Sequence, residues 1–505
     1  MQTVDQRFTT LAQGSIRPLS YGLTVSFDRS FSDTTDFFTL DDSQLDSLDV
    51  LAPDGGNVVQ EWDKYRYVSY KTRVMQLEWQ REELIPYSVT QAFADITLNN
   101  YDGYFTRNNG SPIDQYLLPQ RPVRILAGFG NINIPQFVGL TDTAPVVDKT
   151  ARTARLHCQD FLSYLFDKPL DNAVVLQDVS TDEVLDYLFQ LFGLTPSQYV
   201  LDVGYNVIPF VYFQKGKKLG EAVKDLMEAE LGRLYMDEFG VIRFVNRIRT
   251  QTEVVAVFNG SNIIDYNTST ESEIINVVEL KANVRTVQPE QTIYTLVDPI
   301  ELSGGSTSEV FFNFDDPVTS VSAITTYVAN TESDGSGSDV TANITVDSQT
   351  AFNTAVKVVF ANSAGRAYIT SLTVTGTPAK VSREVYLRVQ DDDSVADFDE
   401  QVFSFENEFI QSDDAAQSVA LSLLNYYKDY SSVIDMTVKG NFAYQIGDQV
   451  KVWVDNINEN YVITKISNVL TLDSFVQKIT ARVYNIPEFF ILDSSVLNGE
   501  DVLSP

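Results

Sequence analysis

Residues 94–128, ADITLNNYDGYFTRNNGSPIDQYLLPQRPVRILAG, constrain this chain more than any other stretch. They carry no catalytic residue pattern. Ala94, Ile96 and Leu98 alternate with Asp95, Thr97 and Asn99, the period of a strand with two unlike faces. Asn99-Asn100-Tyr101-Asp102-Gly103 then makes a polar turn, because Asn, Asp and Gly tolerate positive φ and cap their own backbone. Gly103 is the residue expected to need that conformation. A loop runs to Pro119. The chain returns as a second strand over 122–126, which Pro119 and Pro122 keep from starting early.

The rest of the composition agrees with β structure. Phe (31) and Tyr (25) are abundant, and these fit a pleated surface better than a helix. The length of 505 residues gives a prior of about three to four domains. The net charge of −33 argues against a grip on duplex DNA, which needs Lys and Arg to replace counterions. It does not exclude a passage through which DNA slides, because a repulsive wall prevents sticking. The bland alternative is an acidic surface that keeps the protein soluble. The polar start, MQTVDQRFTTLAQGS, predicts no signal peptide, and no apolar run of about 18 residues predicts a membrane span.

Along the chain, residues 32–65 read as an acidic, Ser/Thr-rich insertion with a short strand near 37–40 and a turn at Asp54-Gly55-Gly56. Strands are expected at 68–79, 137–141 and 153–158, leading into a short helical turn at 159–165, and 15–165 is read as a closed barrel. Ser180 and Glu183 form a capping box, followed by an apolar face of Val184, Leu185, Leu188, Leu191 and Phe192 that Gly193 ends. A second helix over 219–231 has the stripe Leu219, Ala222, Val223 and Leu226, with Gly232 as its stop. A hairpin follows, Arg233 to Asp237 and Val241 to Val245, turned at Gly240. Short Thr/Ser/Val-rich strands over 300–380 read as a β-sandwich module. Ser412 caps a third helix with the face Ala416, Val419, Ala420, Leu423 and Leu424, and a meander carrying Gly447-Asp448 completes the text.

Three passages in this order resemble the tail hub or tail-tip proteins of long-tailed bacteriophages, the minor tail or baseplate hub family. The first is strand, N-x-D-G-x-F, loop, R-P-V-R-I, carried by Asn99, Asp102, Gly103, Phe105, Arg121, Pro122 and Arg124. The second is LGEAVKDLMEAELGRLYMDEFGVIRFVNR, with Gly232, Tyr235 and Gly240. The third is helix, strand, x-x-G-D-x-V-x-V, Y-V-I-x-x-I and a final strand, with Gly447 and Asp448. No one motif is diagnostic; their order is.

The resemblance implies a mainly β fold with α+β segments. It comprises two hub-type β-barrels (1–165 and 251–295 plus 386–490), a helix-hairpin domain (166–250), an inserted β-sandwich (296–385) and a C-terminal tail (491–505). It implies a non-enzymatic structural subunit of the virion tail tip, assembled in the host cytoplasm as a homotrimer. Three copies would offer six similar barrels to a six-fold tube. The partners implied are tail tube and distal tail proteins, a tape-measure protein, tail fibre or receptor-binding proteins, and DNA passing through the lumen without tight binding. Two other classes compete: a carbohydrate-binding receptor protein using the 300–380 module, and a tail-associated cell-wall hydrolase.

The chemistry-bearing residues favour neither rival. The only His, His157, neighbours the only Cys, Cys158. On a strand the two point to opposite faces, so a nucleophile–base pair is not expected, and two such groups cannot complete a zinc cage. Asp391-Asp392-Asp393 and Asp334 to Asp339 lack the spacing of a calcium loop. No GxGxxG or GxxxxGK[ST] is present. No cofactor or metal is expected. Lys215-Gly216-Lys217-Lys218 reads as a solvated turn before a helix, with phosphate contact the minor reading. Trp62, Trp79 and Trp453 read as core or cross-strand aromatics rather than a sugar platform.

Overall fold

The computed structural model describes residues 1–14, 17–29, 65–83, 88–247, 253–271, 274–429 and 431–483. The expected strand at 37–40, the turn at 54–56, Trp62 and the C-terminal tail lie outside these residues.

A helix that the sequence did not announce opens the chain. Asp5 caps α1 (Gln6–Gln13) by accepting from the Arg7 amide at 2.6 Å, and its one buried residue, Phe8, packs on Phe129. Six strands then build the first unit: β1 (Leu19–Val25), β2 (Val74–Glu82), β3 (Ala92–Asn99), β4 (Pro122–Phe129), β5 (Ile132–Thr141) and β6 (Thr153–Gln159). The alternation seen in the sequence sets their faces: Ala94, Ile96 and Leu98 are buried with Leu23, Val25, Leu77, Val123, Ile125 and Leu156.

The middle of the chain is α+β. Asp160 caps α2 (Phe161–Phe166). In α3 (Thr181–Leu191), Glu183 accepts from the Ser180 amide at 2.8 Å, the capping-box bond. Val184, Leu185 and Leu188 are buried as expected, but Leu191 is 52% exposed and Phe189 takes its place. Gly193 follows α3 with φ +78°. In α4 (Leu219–Glu230) the stripe Leu219, Ala222, Val223 and Leu226 is buried. The helix stop is not Gly232: Leu231 adopts the left-handed conformation with φ 53°, and Gly232 donates to the Met227 carbonyl. Gly232 is required for another reason, since a Cβ there would lie 2.7 Å from the Phe244 ring. Strands Arg233–Met236 and Ile242–Val245 form the expected hairpin, flanked by Tyr199–Leu201 and Ser88–Thr90 in a four-stranded sheet.

Next come β7 (Val254–Asn259), β8 (Ile263–Glu271), β9 (Val277–Val287) and β10 (Ala367–Gln390). Four shorter strands and β9 pair with β10, and Ser306–Asn313, Ile344–Phe352 and Ala355–Asn362 form a second sheet. Leu302, Phe312, Ile344, Val358, Phe360, Ile369 and Leu372 fill the core of this region. The expected module end at residue 385 falls inside β10, which continues unbroken to pair with β9. After the short helix α5 (Asp392–Phe398), β11 (Val402–Asn407) pairs with β9, so β9 and β11 belong to the β10 sheet. Then follow α6 (Asp413–Tyr427), β12 (Ser431–Val438), β13 (Gln449–Val454), β14 (Ile457–Thr471) and β15 (Phe475–Val483). The face of α6, Ala416, Val419, Ala420, Leu423 and Leu424, is fully or nearly buried, as its pattern predicts.

The two ends of the chain meet in one sheet of 14 strands. In the first unit the order is β2-β3-β6-β5-β4-β1, which in chain order is second, third, sixth, fifth, fourth, first. In the second unit the order is β8-β12-β15-β14-β13-β7, again second, third, sixth, fifth, fourth, first. One pair departs from the repeat: β7 runs parallel to β13, whereas β1 is antiparallel to β4.

The mainly β class with α+β segments therefore stands, but closed barrels do not. Among the described residues neither unit closes its ladder. A strand has two edges, and β2 gives one to β3 and the other to β14 rather than to β1. The two units are fused edge to edge.

Candidate functional site

The seam between the units is where the most unlike parts of the chain converge. Residues Gln76 to Glu82 of β2 pair with Thr471 to Lys465 of β14, and Lys465 Nζ reaches Glu82 at 2.7 Å. Behind the ladder, Trp79 stacks on Phe442 and Phe475 with ring centroids 6.3 and 6.5 Å away, and those two phenylalanines stack at 4.0 Å. Phe442, Ala443 and Leu470 thus enter the core of the first unit. Gly440 makes room for the stack, because a Cβ there would sit 2.1 Å from the Phe475 ring.

Beside the aromatic stack lies an ionic cluster that ties in the helix-hairpin region. Arg233 Nη1 donates to Glu83 Oε2 at 2.6 Å, and both side chains are nearly buried. Arg81 pairs with Glu238, whose other oxygen accepts from Gln445 Nε2 at 2.7 Å. Asp237 organises the hairpin turn, accepting from the Phe239 and Val241 amides at 2.9 Å and from Arg243 Nε at 2.7 Å. Burial pushes the Asp237 carboxyl up, against the pull of Arg243. Burial likewise raises Asp160 to about 6, although the Ala92 and Ser163 amides donate to it.

The residues singled out in the sequence fall into two clusters. Gly240, Tyr235, Gly447 and Asp448 lie around the seam. Gly240 closes the turn with φ +83°, and Tyr235 is a partly buried strand residue of the hairpin. Gly447 has φ +84°, and a Cβ there would lie 3.0 Å from Arg233 Nη1. Asp448 is buried and accepts from the Gln445 amide at 2.8 Å and from the α-amino group of Met1.

Asn99, Asp102, Gly103, Phe105, Arg121, Pro122 and Arg124 serve the loop after β3. Asn99 accepts from the Tyr101 amide at 2.9 Å, an Asx turn. Asp102 makes a bidentate pair with Arg73 at 2.9 and 2.8 Å, which holds its carboxyl down at about 2. Gly103 has φ +70°. Phe105 is buried beside Phe27, Tyr70 and Tyr104, with Arg73 over its ring. The Arg121 amide donates to Thr141 Oγ1, Pro122 begins β4, and Arg124 stacks over Tyr67 at 4.1 Å.

Sequence reasoning missed Arg81, Glu83, Arg233 and Glu238. A signal was present. Leu77 and Trp79 mark the inward phase of β2, and Arg81 and Glu83 continue it at every second position. Charged residues in an apolar phase announce a buried pair.

The arrangement holds segments together rather than activating a nucleophile. The cavity at the seam, lined by Trp79, Arg81, Gln136, Glu238, Tyr444 and Ile466, measures ≈ 20 Å³. That is room for about one water molecule, not a sugar ring. Cys158 is buried, which pushes its thiol well above the ordinary range. His157 pairs with Asp95 across the strand. Lys217 and Lys218 of the basic cluster pair with Asp225 at 2.6 Å and Asp167 at 2.9 Å. Among the described residues no group of three or more His, Cys, Asp or Glu is placed to hold a metal ion, and no helix is long and apolar enough to cross a membrane.

No protein-family profile and no curated protein sequence matches the chain. Solved structures do. The 43 kDa tail protein of prophage MuSo2 from Shewanella oneidensis is 11% identical, covering 82% of this chain and 94% of its own, with a TM-score of 0.44. The tail protein from Neisseria meningitidis MC58 is 10% identical, covering 84% of this chain and 95% of its own, with a TM-score of 0.47. Prophage tail protein gp18 from Listeria monocytogenes EGD-e is 9% identical, covering 84% and 93%, with a TM-score of 0.44. Each of these likenesses spans more than four-fifths of this chain.

Proposed function

We propose that this chain is a structural subunit of the tail hub or tail tip of a long-tailed bacteriophage. It joins the tail tube to the distal tip and forms part of the DNA channel and its closure. The observation that carries this reading is the repeated strand order in two units fused through β2 and β14. A chain with two like units resolves a symmetry mismatch: three copies present six units to a six-fold tube. On this reading the protein works as a homotrimer between tail tube or distal tail proteins, the tape-measure protein and the fibre or receptor-binding proteins. The two hub elements are the 14-stranded sheet's halves, with the helix-hairpin region between them in sequence and the β10 module inserted within the second, between β8 and β12.

The chain is proposed to act without catalysis. A buried Cys158, a His157 engaged by Asp95 and a seam cavity of water size support this. The charge of −33 supports a lumen past which duplex DNA slides rather than binds. Imaging of native particles carrying a label on this protein tests the reading. Density for the label at the tail tip, three copies to a ring, is expected. A label absent from the tip, or six copies in one ring, would overturn it.

A further inference from the structure

We infer that the short strand Val146–Asp148 is the docking edge for β8 of a second copy of this chain. The inference rests on the hub reading, in that it takes the two units as one element repeated around a ring.

The intrachain seam shows what such a junction looks like. β15 runs along one edge of β14. The other edge carries two strands in succession: β13 against residues 457–462, then β2 against residues 465–471. The fifth strand of the second unit thus accepts the second strand of the first.

The equivalent acceptor in the first unit is β5 continued by Val146–Asp148. Both pieces pair with β6, through Leu140↔Gln159 and Thr141↔Cys158, then Val146↔Arg155 and Asp148↔Thr153. β4 covers the other edge over residues 132–140. Nothing among the described residues covers that edge at 146–148, the stretch that corresponds to the part of β14 on which β2 docks. The hairpins close alike, with four residues between Asp148 and Thr153 and four between Leu470 and Phe475.

The equivalent donor is β8, the second strand of the second unit. One edge of β8 pairs with β12, and the other has no strand partner among the described residues. Natural edges are blunted by charged side chains, Pro, bulges or cover. β8, IIDYNTSTE, has a register shift at its start, between Ile263 and Asp265, and then an uncharged run with no Pro from Tyr266 to Thr270. Val146 is 53% exposed and Ile264 is 65% exposed. Tyr266 on β8 hydrogen-bonds Asp455, two residues beyond Trp453, which is 62% exposed. An unpaired donor edge with apolar flanks and an unpaired acceptor edge therefore sit on one chain, in the places where the repeat puts a junction. Because donor and acceptor differ, the contact is head-to-tail, and repetition closes a ring or extends a filament.

Cysteine cross-linking in the full chain tests this. Val146→Cys is combined with Asp265→Cys, Asn267→Cys or Ser269→Cys in turn; the native Cys158 is buried and stays silent under mild oxidation. At least one double variant should give a ladder of disulfide-linked multiples. Single variants should give none, and a mixture of two complementary single variants should stop at dimers. Asn267→Pro and Thr268→Pro supply the second arm. Adjacent strand residues aim their N–H groups at opposite edges, so one of the two keeps the β12 ladder, folds with an unchanged circular dichroism spectrum and loses the cross-links. No ladder from any of the three pairs at the highest concentration the protein tolerates overturns the inference, as do single variants that link as strongly as doubles. A label at the tail tip with no cross-links sinks this inference alone. Cross-links from a chain absent from the tail sink the hub reading alone.

Discussion

Replacing Trp79 with Ala should loosen the seam more than any other single change. Trp79 sits on β2 with Asn468 of β14 opposite it and Ala94 of β3 on its other side. It is 7% exposed and stacked on Phe442 and Phe475, both from the second unit. Truncating a buried Trp costs about 3–5 kcal/mol, the lost transfer free energy plus the cavity left behind. Each 1.4 kcal/mol is about a factor of ten, so protection of the amides that depend on the stack should fall by about two to three and a half orders of magnitude. The assay is native-state hydrogen exchange, read separately for β2, β14 and β15. Trp79→Phe keeps one ring in the stack and should lose only about tenfold. The reasoning fails if β14 and β15 keep their protection in Trp79→Ala while only β3 and its neighbours exchange faster. The indole would then serve the first unit alone.

Gly103→Val should lower stability by about 1–3 kcal/mol, since φ is +70° and any Cβ would meet Asn109 Nδ2 at 2.3 Å; an unchanged melting temperature refutes the turn assignment. Asp102 should titrate near 2 by NMR, and Arg73→Lys, which cannot form the bidentate pair, should bring its titration back toward 3.8. The stabilisation from that depressed carboxyl is present above its ordinary range and lost as pH falls through about 2. Asp160 has the opposite sign: its folded value near 6 lies above the unfolded one, so its contribution is full below about 4 and lost as pH rises through 6. Denaturant midpoints should therefore fall from pH 4 to pH 6.5, and Asp160→Asn should flatten that slope. Filter binding at physiological salt should retain no duplex DNA, and retention would defeat the sliding-channel reading.

Local pattern made much of this fold legible. The stripes of α4 and α6 are buried residue for residue, because helix period alone decides which side faces a core. The inward phase of β3 is as the alternation has it. Leu191 shows the limit: its neighbour Phe189 is larger and occupies the buried side. α1 escaped notice because a single buried Phe8 gives no periodicity. The seam escaped for a different reason. Pairing of β2 with β14 joins residues almost four hundred positions apart (Lys465 with Glu82), and no local propensity encodes which distant edge a strand will take. The loop around Phe105 was legible as turn chemistry, whereas its partner Arg73 was not, since it lies before β2.

The length of β10 has a mechanical consequence. One strand of 24 residues spans roughly 80 Å. Along one edge it carries β9, then Gln291–Thr295, then Ile300–Leu302; along the other it carries Val318–Val321 and Tyr327–Asn330. A tug on the outer part of this module is delivered down a single backbone to the sheet beneath α6. Load along the strand axis falls on many ladder hydrogen bonds at once, in shear, rather than opening them one by one. The module is therefore anchored like a tie rod. A body that grips it from outside can pull on the centre of the molecule without first peeling the module away.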